Sequence, residues 1–186
     1  MDYIGEQYRE LFTKPAEELA QWLLGKIICH RIHYENGDFI VCGRISVTEA
    51  YRAKDNVTDA TRKADKINSQ KKIGGYLYVT EVSRTGGYRF DIVANQEGIG
   101  EGVLIRGIDS YEEGPCIAAW ALDVDQKLDG VDLLAPAKEN GIWIRSDGVE
   151  IIQNEPTPRV TLGKNASKEA REAPLRFTIK EIRFSK

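Results

Sequence analysis

One stretch restricts the fold more than any other: Asp38-Phe39-Ile40-Val41-Cys42-Gly43-Arg44-Ile45-Ser46-Val47-Thr48-Glu49-Ala50-Tyr51. Its β-branched residues and the alternation near its end predict a long strand. Residues two apart on a strand point to the same side, so Glu49 and Tyr51 are expected to face one way, in a row with Val47 and Ile45. Burying a carboxylate in an apolar row is costly without a partner. That singles out Glu49 as a candidate working residue, since an acid with no such task usually stays in water.

The flanking sequence supplies partners for this strand. Residues 26–33 read as a first strand, and Glu35-Asn36-Gly37-Asp38 as the hairpin turn between the two. Ahead of them, Thr13-Lys14-Pro15 opens a helix with Ala16, Leu19, Ala20, Leu23 and Leu24 on its apolar stripe, and Gly25 stops it. Trp22 is expected to pack on the core. After Tyr51, residues 52–75 are polar and aperiodic, a long connection of the kind that is functional or disordered. Tyr76–Val82 and Tyr88–Ala94 form a second hairpin, and Val103–Ile108 a fifth strand. In it Arg106 breaks the apolar run and needs an anionic or aromatic partner. A short helix over 114–122 precedes a turn-rich segment. Short strands are expected at 142–145, 149–152 and 159–162, with a polar loop or helical turn over 164–172 and a closing strand over 175–184. The fold class that follows is α+β: one mixed domain, residues 1–186, on a curved, mostly antiparallel sheet with a few short helices.

Composition excludes several classes. With 41% hydrophobic and 30% charged residues, a chain of 186 can bury an ordinary core, and no apolar run reaches the roughly 20 residues of a membrane span. Cys29, Cys42 and Cys116, each in an apolar context, read as buried free thiols in a reducing, cytoplasmic compartment. His30 and His33 would point to opposite faces of a strand, which argues against a zinc site. The glycines of residues 96–102 lead into a strand rather than a helix, so they are no nucleotide fingerprint. Charge is unevenly spread. Between Thr61 and Phe90 seven cations (Arg62, Lys63, Lys66, Lys71, Lys72, Arg84, Arg89) stand against two acids, so this segment is +5 and the remainder −8 in a chain of net −3. One basic surface on an acidic body suits an anionic polymer held at one face.

Seven segments, in order, resemble the alkyladenine (3-methyladenine) DNA glycosylases. They are Leu19–Cys29, Gly43-Arg44-Ile45 with Thr48-Glu49-Ala50-Tyr51, Tyr76–Val79, Val103–Arg106, Gly114-Pro115, Thr157-Pro158-Arg159-Val160 and Pro174–Phe177. The resemblance spans about residues 10 to 180. It implies a monofunctional base-excision enzyme, active as a monomer on double-stranded DNA without metal or organic cofactor, and placed in the cytoplasm, at the nucleoid in a bacterium. Such an enzyme flips a damaged purine out of the duplex and hydrolyses its N-glycosidic bond. The resemblance puts Glu49 at the catalytic glutamate, Tyr51 at an aromatic that stacks on the flipped base, and Arg106 at an arginine supporting the active site.

Other family positions are altered here. The pocket histidine falls on Ala60, the second pocket tyrosine on Glu81, the aromatic wedge on Arg84, and the asparagine opposite the catalytic glutamate on Asp91. The resemblance therefore implies substrate-binding roles for Tyr51, Ala60, Glu81 and Asp91. Arg84, Arg62, Lys63, Lys71 and Lys72 would bind DNA, with Arg84 at a hairpin tip able to enter a base stack. The losses keep a second reading open, a catalytically silent member that binds DNA or lesions without cutting.

Overall fold

The computed structural model describes residues 2–55, 71–82, 86–109, 111, 113–136, 141–160, 162 and 166–184. Nine strands lie in one curved antiparallel sheet: β1 (Asp2–Ile4), β2 (Ile27–Tyr34), β3 (Gly37–Tyr51), β4 (Leu77–Val82), β5 (Gly87–Ala94), β6 (Glu101–Ile108), β7 (Ile142–Ser146), β8 (Glu150–Gln153) and β9 (Arg176–Arg183). The order is β1-β7-β2-β3-β6-β5-β4, with β9 joining β3 and β8 at the side. Among the described residues, four short helices accompany the sheet: α1 (Arg9–Phe12), α2 (Ala16–Leu23), α3 (Pro115–Ala121) and α4 (Lys168–Glu172). The expected α+β class holds. Among the described residues no helix is long and apolar enough to cross a membrane.

β3 is the spine. Its first half pairs with β2 from Gly37 to Arg44, and its second half lies between β6 and β9. The hairpin turns at Glu35-Asn36, with Gly37 at φ 128°, a backbone region that favours glycine. Ladder partners in this arrangement share a face. One face of the sheet, carrying Ile45, Ala50, Val103, Ile105, Leu77, Val79, Phe90 and Ile92, packs with α2 and α3 into the core. Trp22 packs against that core as expected, with its ring 5.6 Å from Phe12.

The single row expected for Ile45, Val47, Glu49 and Tyr51 is broken. Ile45 pairs with Ile108, Val47 with Gly107 and Thr48 with Ile105, so Ser46 and then Arg106 drop out of the β3–β6 ladder. Ile45 and Ile108 face the core on one side of this double bulge, and Ile105 and Ala50 on the other. Thr48 turns the same way, donating its hydroxyl to Ala20 O of α2 at 2.9 Å. Bulges shift the alternation. The result is that Glu49 and Tyr51 are on the opposite face from Ile45. Gly107 makes the bulge possible, because a Cβ there would lie 2.7 Å from Ser46 Oγ and 2.8 Å from Val47 Cγ2.

Two further expectations are corrected. Cys29 and Cys42 are directly opposite on β2 and β3 and are joined as a disulfide, with Cα atoms 4.1 Å apart. Cys116 is in no disulfide and is half-buried, so the argument from three buried thiols to a reducing compartment loses the Cys29–Cys42 pair. Arg159 and Val160 form no strand. Their segment is held by side-chain bonds of Arg159 in place of a ladder, and it crosses the polar face of the sheet.

Candidate active site

On the face opposite the core, the strand registers align one row across five strands. Arg176 of β9 pairs with Glu49 of β3, Glu49 with Leu104 of β6, Leu104 with Asp91 of β5, and Asp91 with Tyr78 of β4. Glu49 is 0% exposed and Asp91 4%. Charged groups this deeply buried need partners. Glu49 has three. Tyr51 donates its hydroxyl to Oε2 at 2.9 Å, the Val160 N–H donates to Oε1 at 2.9 Å, and Arg106 Nε lies 3.8 Å from Oε1.

Each neighbour is itself fixed. Arg106 donates from Nε to Glu113 Oε1 at 2.7 Å, and Arg176 donates to both oxygens of the same carboxylate. Burial opposes ionisation of Glu113, but the bonds from Arg176 and Arg106 outweigh it and hold its carboxyl below the usual range. Arg106 Nη1 is buried and has no hydrogen-bond partner among the described residues. Arg159 is a strut. Its guanidinium donates to Ala50 O at 2.8 Å, to Asp55 Oδ2 at 2.6 Å and to Ala170 O at 2.9 Å, and it lies 4.8 Å from the Tyr51 ring centroid. One residue later, Val160 reaches Glu49. Tyr51 is therefore positioned by its hydroxyl and by the Arg159 guanidinium beside its ring.

The expected site residues divide accordingly. Glu49, Tyr51 and Arg106 come together, and Asp91 joins them two strands away. Glu81 does not. It shares the parity of Leu77 and Val79, pairs with the core-packed Tyr88, and is exposed. The β4 aromatic that faces the site is Tyr78, three residues earlier. The alternation of Leu77 and Val79 with Tyr78 and Thr80 carried this signal, whereas counting without gaps from Glu49 obscured it. Lys71 and Lys72 line a cavity of about 200 Å³ with Tyr78 and Val93, and Lys72 Nζ lies 4.8 Å over the Tyr76 ring. Ala60, Arg62, Lys63 and Arg84 lie outside the described residues. Arg89, counted in the basic segment, is buried. Sequence reasoning missed Glu113 entirely and read Arg159 and Val160 as an ordinary strand.

A buried carboxylate with a phenol, a backbone N–H and an arginine around it can take a proton from water and oppose positive charge on a nearby carbon. Fold and site are those of an antiparallel-sheet protein with a buried carboxylate, held by a phenol, a backbone N–H and an arginine, on its polar face. The chain belongs to the methylpurine-DNA glycosylase (MPG) family, whose sequence pattern matches residues 10–113. DNA glycosylases of this kind are hydrolases of DNA repair that act on alkylated bases. A Legionella pneumophila (strain Lens) protein named "Putative 3-methyladenine DNA glycosylase" is 29% identical over 185 residues, covering 93% of each chain. Proteins of the same name from Clostridium novyi (strain NT) and Francisella tularensis subsp. tularensis (strain WY96-3418) are 27% and 28% identical. The first covers 95% of this chain and 96% of its own, the second 86% and 89%.

Proposed function

We propose that the protein is a monofunctional DNA glycosylase, a single domain that hydrolyses the N-glycosidic bond of a damaged purine flipped out of duplex DNA. The observation that carries this reading is Glu49, wholly buried yet held by Tyr51, Val160 and Arg106 on the polar face of the sheet. Glu49 takes a proton from the attacking water, and its charge offsets the positive character that the sugar gains as the base departs. Arg106 offers Nη1 to the water or the sugar–phosphate. Tyr51 fixes the carboxylate through its hydroxyl and is the aromatic ring next to it. Lys71 and Lys72 attract the DNA backbone, so affinity falls as salt rises.

The test is release of free base from duplexes carrying methylated purines, hypoxanthine or ethenoadenine, by wild type and Glu49→Gln. Release by wild type and its loss in the variant support the mechanism, whereas equal release by both refutes it. One observation favours a binder without excision: both Glu49 oxygens already accept a hydrogen bond from the protein. That reading requires salt-sensitive lesion binding, with no product from either protein over long incubation.

A further inference from the structure

We infer that the free edge of β3, from Asp38 to Cys42, pairs antiparallel with the same edge of a second copy about a two-fold axis at Ile40. This departs from the monomer that the family resemblance implies, and it does not depend on the glycosylase reading.

Opposite β2, the first half of β3 has no ladder partner among the described residues, because β6 joins only at Ile45 and β9 at Val47. The direction of its backbone groups follows from the base of the hairpin. Arg44 N–H donates to Asp109 Oδ1 and Arg44 O accepts from Asp109 N–H, so Arg44 turns both groups away from β2. Alternate residues of an antiparallel strand do the same, which puts the N–H and C=O of Cys42, Ile40 and Asp38 on the free side. Arg31, opposite Ile40, agrees: its N–H leaves the hairpin on the other side, for Gly141 O. The turn closes this window at one end and Asp109 closes it at the other.

The window is exposed and apolar. Phe39 is 57% exposed, Ile40 54%, and Tyr34, whose ring lies 5.4 Å from that of Phe39, 59%. Sheets protect a free edge with lysine, proline or a bulge, and residues 39–42 carry none of these. The Cys29–Cys42 disulfide ties the hairpin, so the edge is formed before any partner arrives.

Register and charge make a second copy the occupant. About an axis at Ile40, Asp38 pairs with Cys42 of the second copy and Ile40 with its own counterpart, which uses every outward group of the window. Phe39 then lies opposite Val41 of the second copy, an aromatic and β-branched pair of the kind that stabilises sheets. The open groove of about 490 Å³ lined by Ile32, Tyr34, Asn36, Phe39 and Val41 continues into its counterpart. Asp38 is the one charge in the window, and the two copies of it stand four residues out of register, about 13 Å apart along the strands. Each exposed ring offers about 100 Å², so the contact falls short of the roughly 800 Å² per partner of a standard interface and the dimer is a weak one. Ile40 lies nine residues from Glu49, up to about 30 Å along β3, so both sites stay open.

The test is sedimentation velocity from about 5 to about 500 μM on wild type, Ile40→Lys, Ile40→Glu and an equimolar mixture of the two variants. Wild type is expected to pass from monomer to dimer across this range. Each variant alone sets like charges against each other at the axis and should dimerise about tenfold more weakly, whereas the mixture sets a lysine against a glutamate and should recover the dimer. Melting temperatures matching wild type separate these changes from unfolding, and the exposure of Ile40 leads us to expect that match. Wild type that stays monomeric at the highest concentration overturns the inference and leaves the edge to a strand of another protein. Variants that dimerise as well as wild type also overturn it, as does a mixture no stronger than either variant alone, because each result places the contact away from Ile40.

Discussion

Ala50 and Glu49 are chain neighbours, both wholly shielded from solvent, yet they face opposite sides of the sheet and opposite chemistry. On Ala50's side burial is apolar: Ile45, Ile105, Phe90 and Leu77 pack with α2 and α3. On Glu49's side burial is polar: Glu49, Asp91, Arg106 and Arg159 are each nearly inaccessible, and Glu49, Arg106 and Arg159 are anchored by named bonds. Apolar area removed from water drives the first kind of burial, and its cost when disturbed is cavity and lost transfer energy. Matched donors and acceptors sustain the second, where removing one partner strands the other. The comparison teaches that exposure alone does not separate core from site, but the kind of neighbour does.

Substitutions on the two faces should therefore fail differently. The largest effect is expected from Glu49→Gln, which keeps shape and removes the proton acceptor: kcat for base release should fall by about 10²–10⁴. A melting temperature within a few degrees of wild type would separate this loss from unfolding. Arg159→Met leaves Asp55 with Arg52 alone, takes a donor from the buried Ala50 O and Ala170 O and releases the Tyr51 ring, and a denaturant titration should show about 3–5 kcal/mol of lost stability. On the apolar face, Ile45→Ala should lose about 2–5 kcal/mol by the same titration, with KM for lesion duplex little changed in the folded protein. Equal damage to KM by both variants would erase the distinction between the faces. Gly107→Ala strikes the bulge that keeps the faces in register. A crowded Cβ there should lose about 1–3 kcal/mol and lower kcat together, because it displaces Ser46 and Val47, three and two residues from Glu49.

The smallest effect is a pH dependence at Glu113. Its carboxyl is held below the ordinary range in the folded chain, so its contribution is complete above the unfolded pKa and is lost as pH falls through the depressed folded value. Melting curves of wild type and Glu113→Gln, taken from pH 7 down to pH 3, should accordingly converge in acid. Parallel curves would remove Glu113 as the charged anchor of Arg106 and Arg176.

Much of this was legible from residue order. The β-branched run into Glu49, the turn residues Glu35–Asp38, the apolar stripe of α2 and the apolar run of β6 are local signals, and the elements they predict are present, with the turn itself at Glu35-Asn36. Glu49, Tyr51 and Arg106 were singled out because a charge or aromatic interrupts or ends an apolar strand. What escaped notice was long-range. Glu113 is read correctly only when Arg176, 63 residues away, arrives beside it. Arg159 looks like a strand residue until Asp55 and Ala170 O claim its guanidinium. Cys29 and Cys42 became partners through their facing register, which no count of cysteines reveals.

By itself, the sequence determined that an acid and a phenol would stand two apart at the end of a long strand, because side-chain parity is a local property of extended backbone. Only the tertiary structure decided which side they face. That choice is made by the double bulge at Ser46 and Arg106, and the bulge exists because Gly107 lets β3 and β6 approach where any larger side chain would collide.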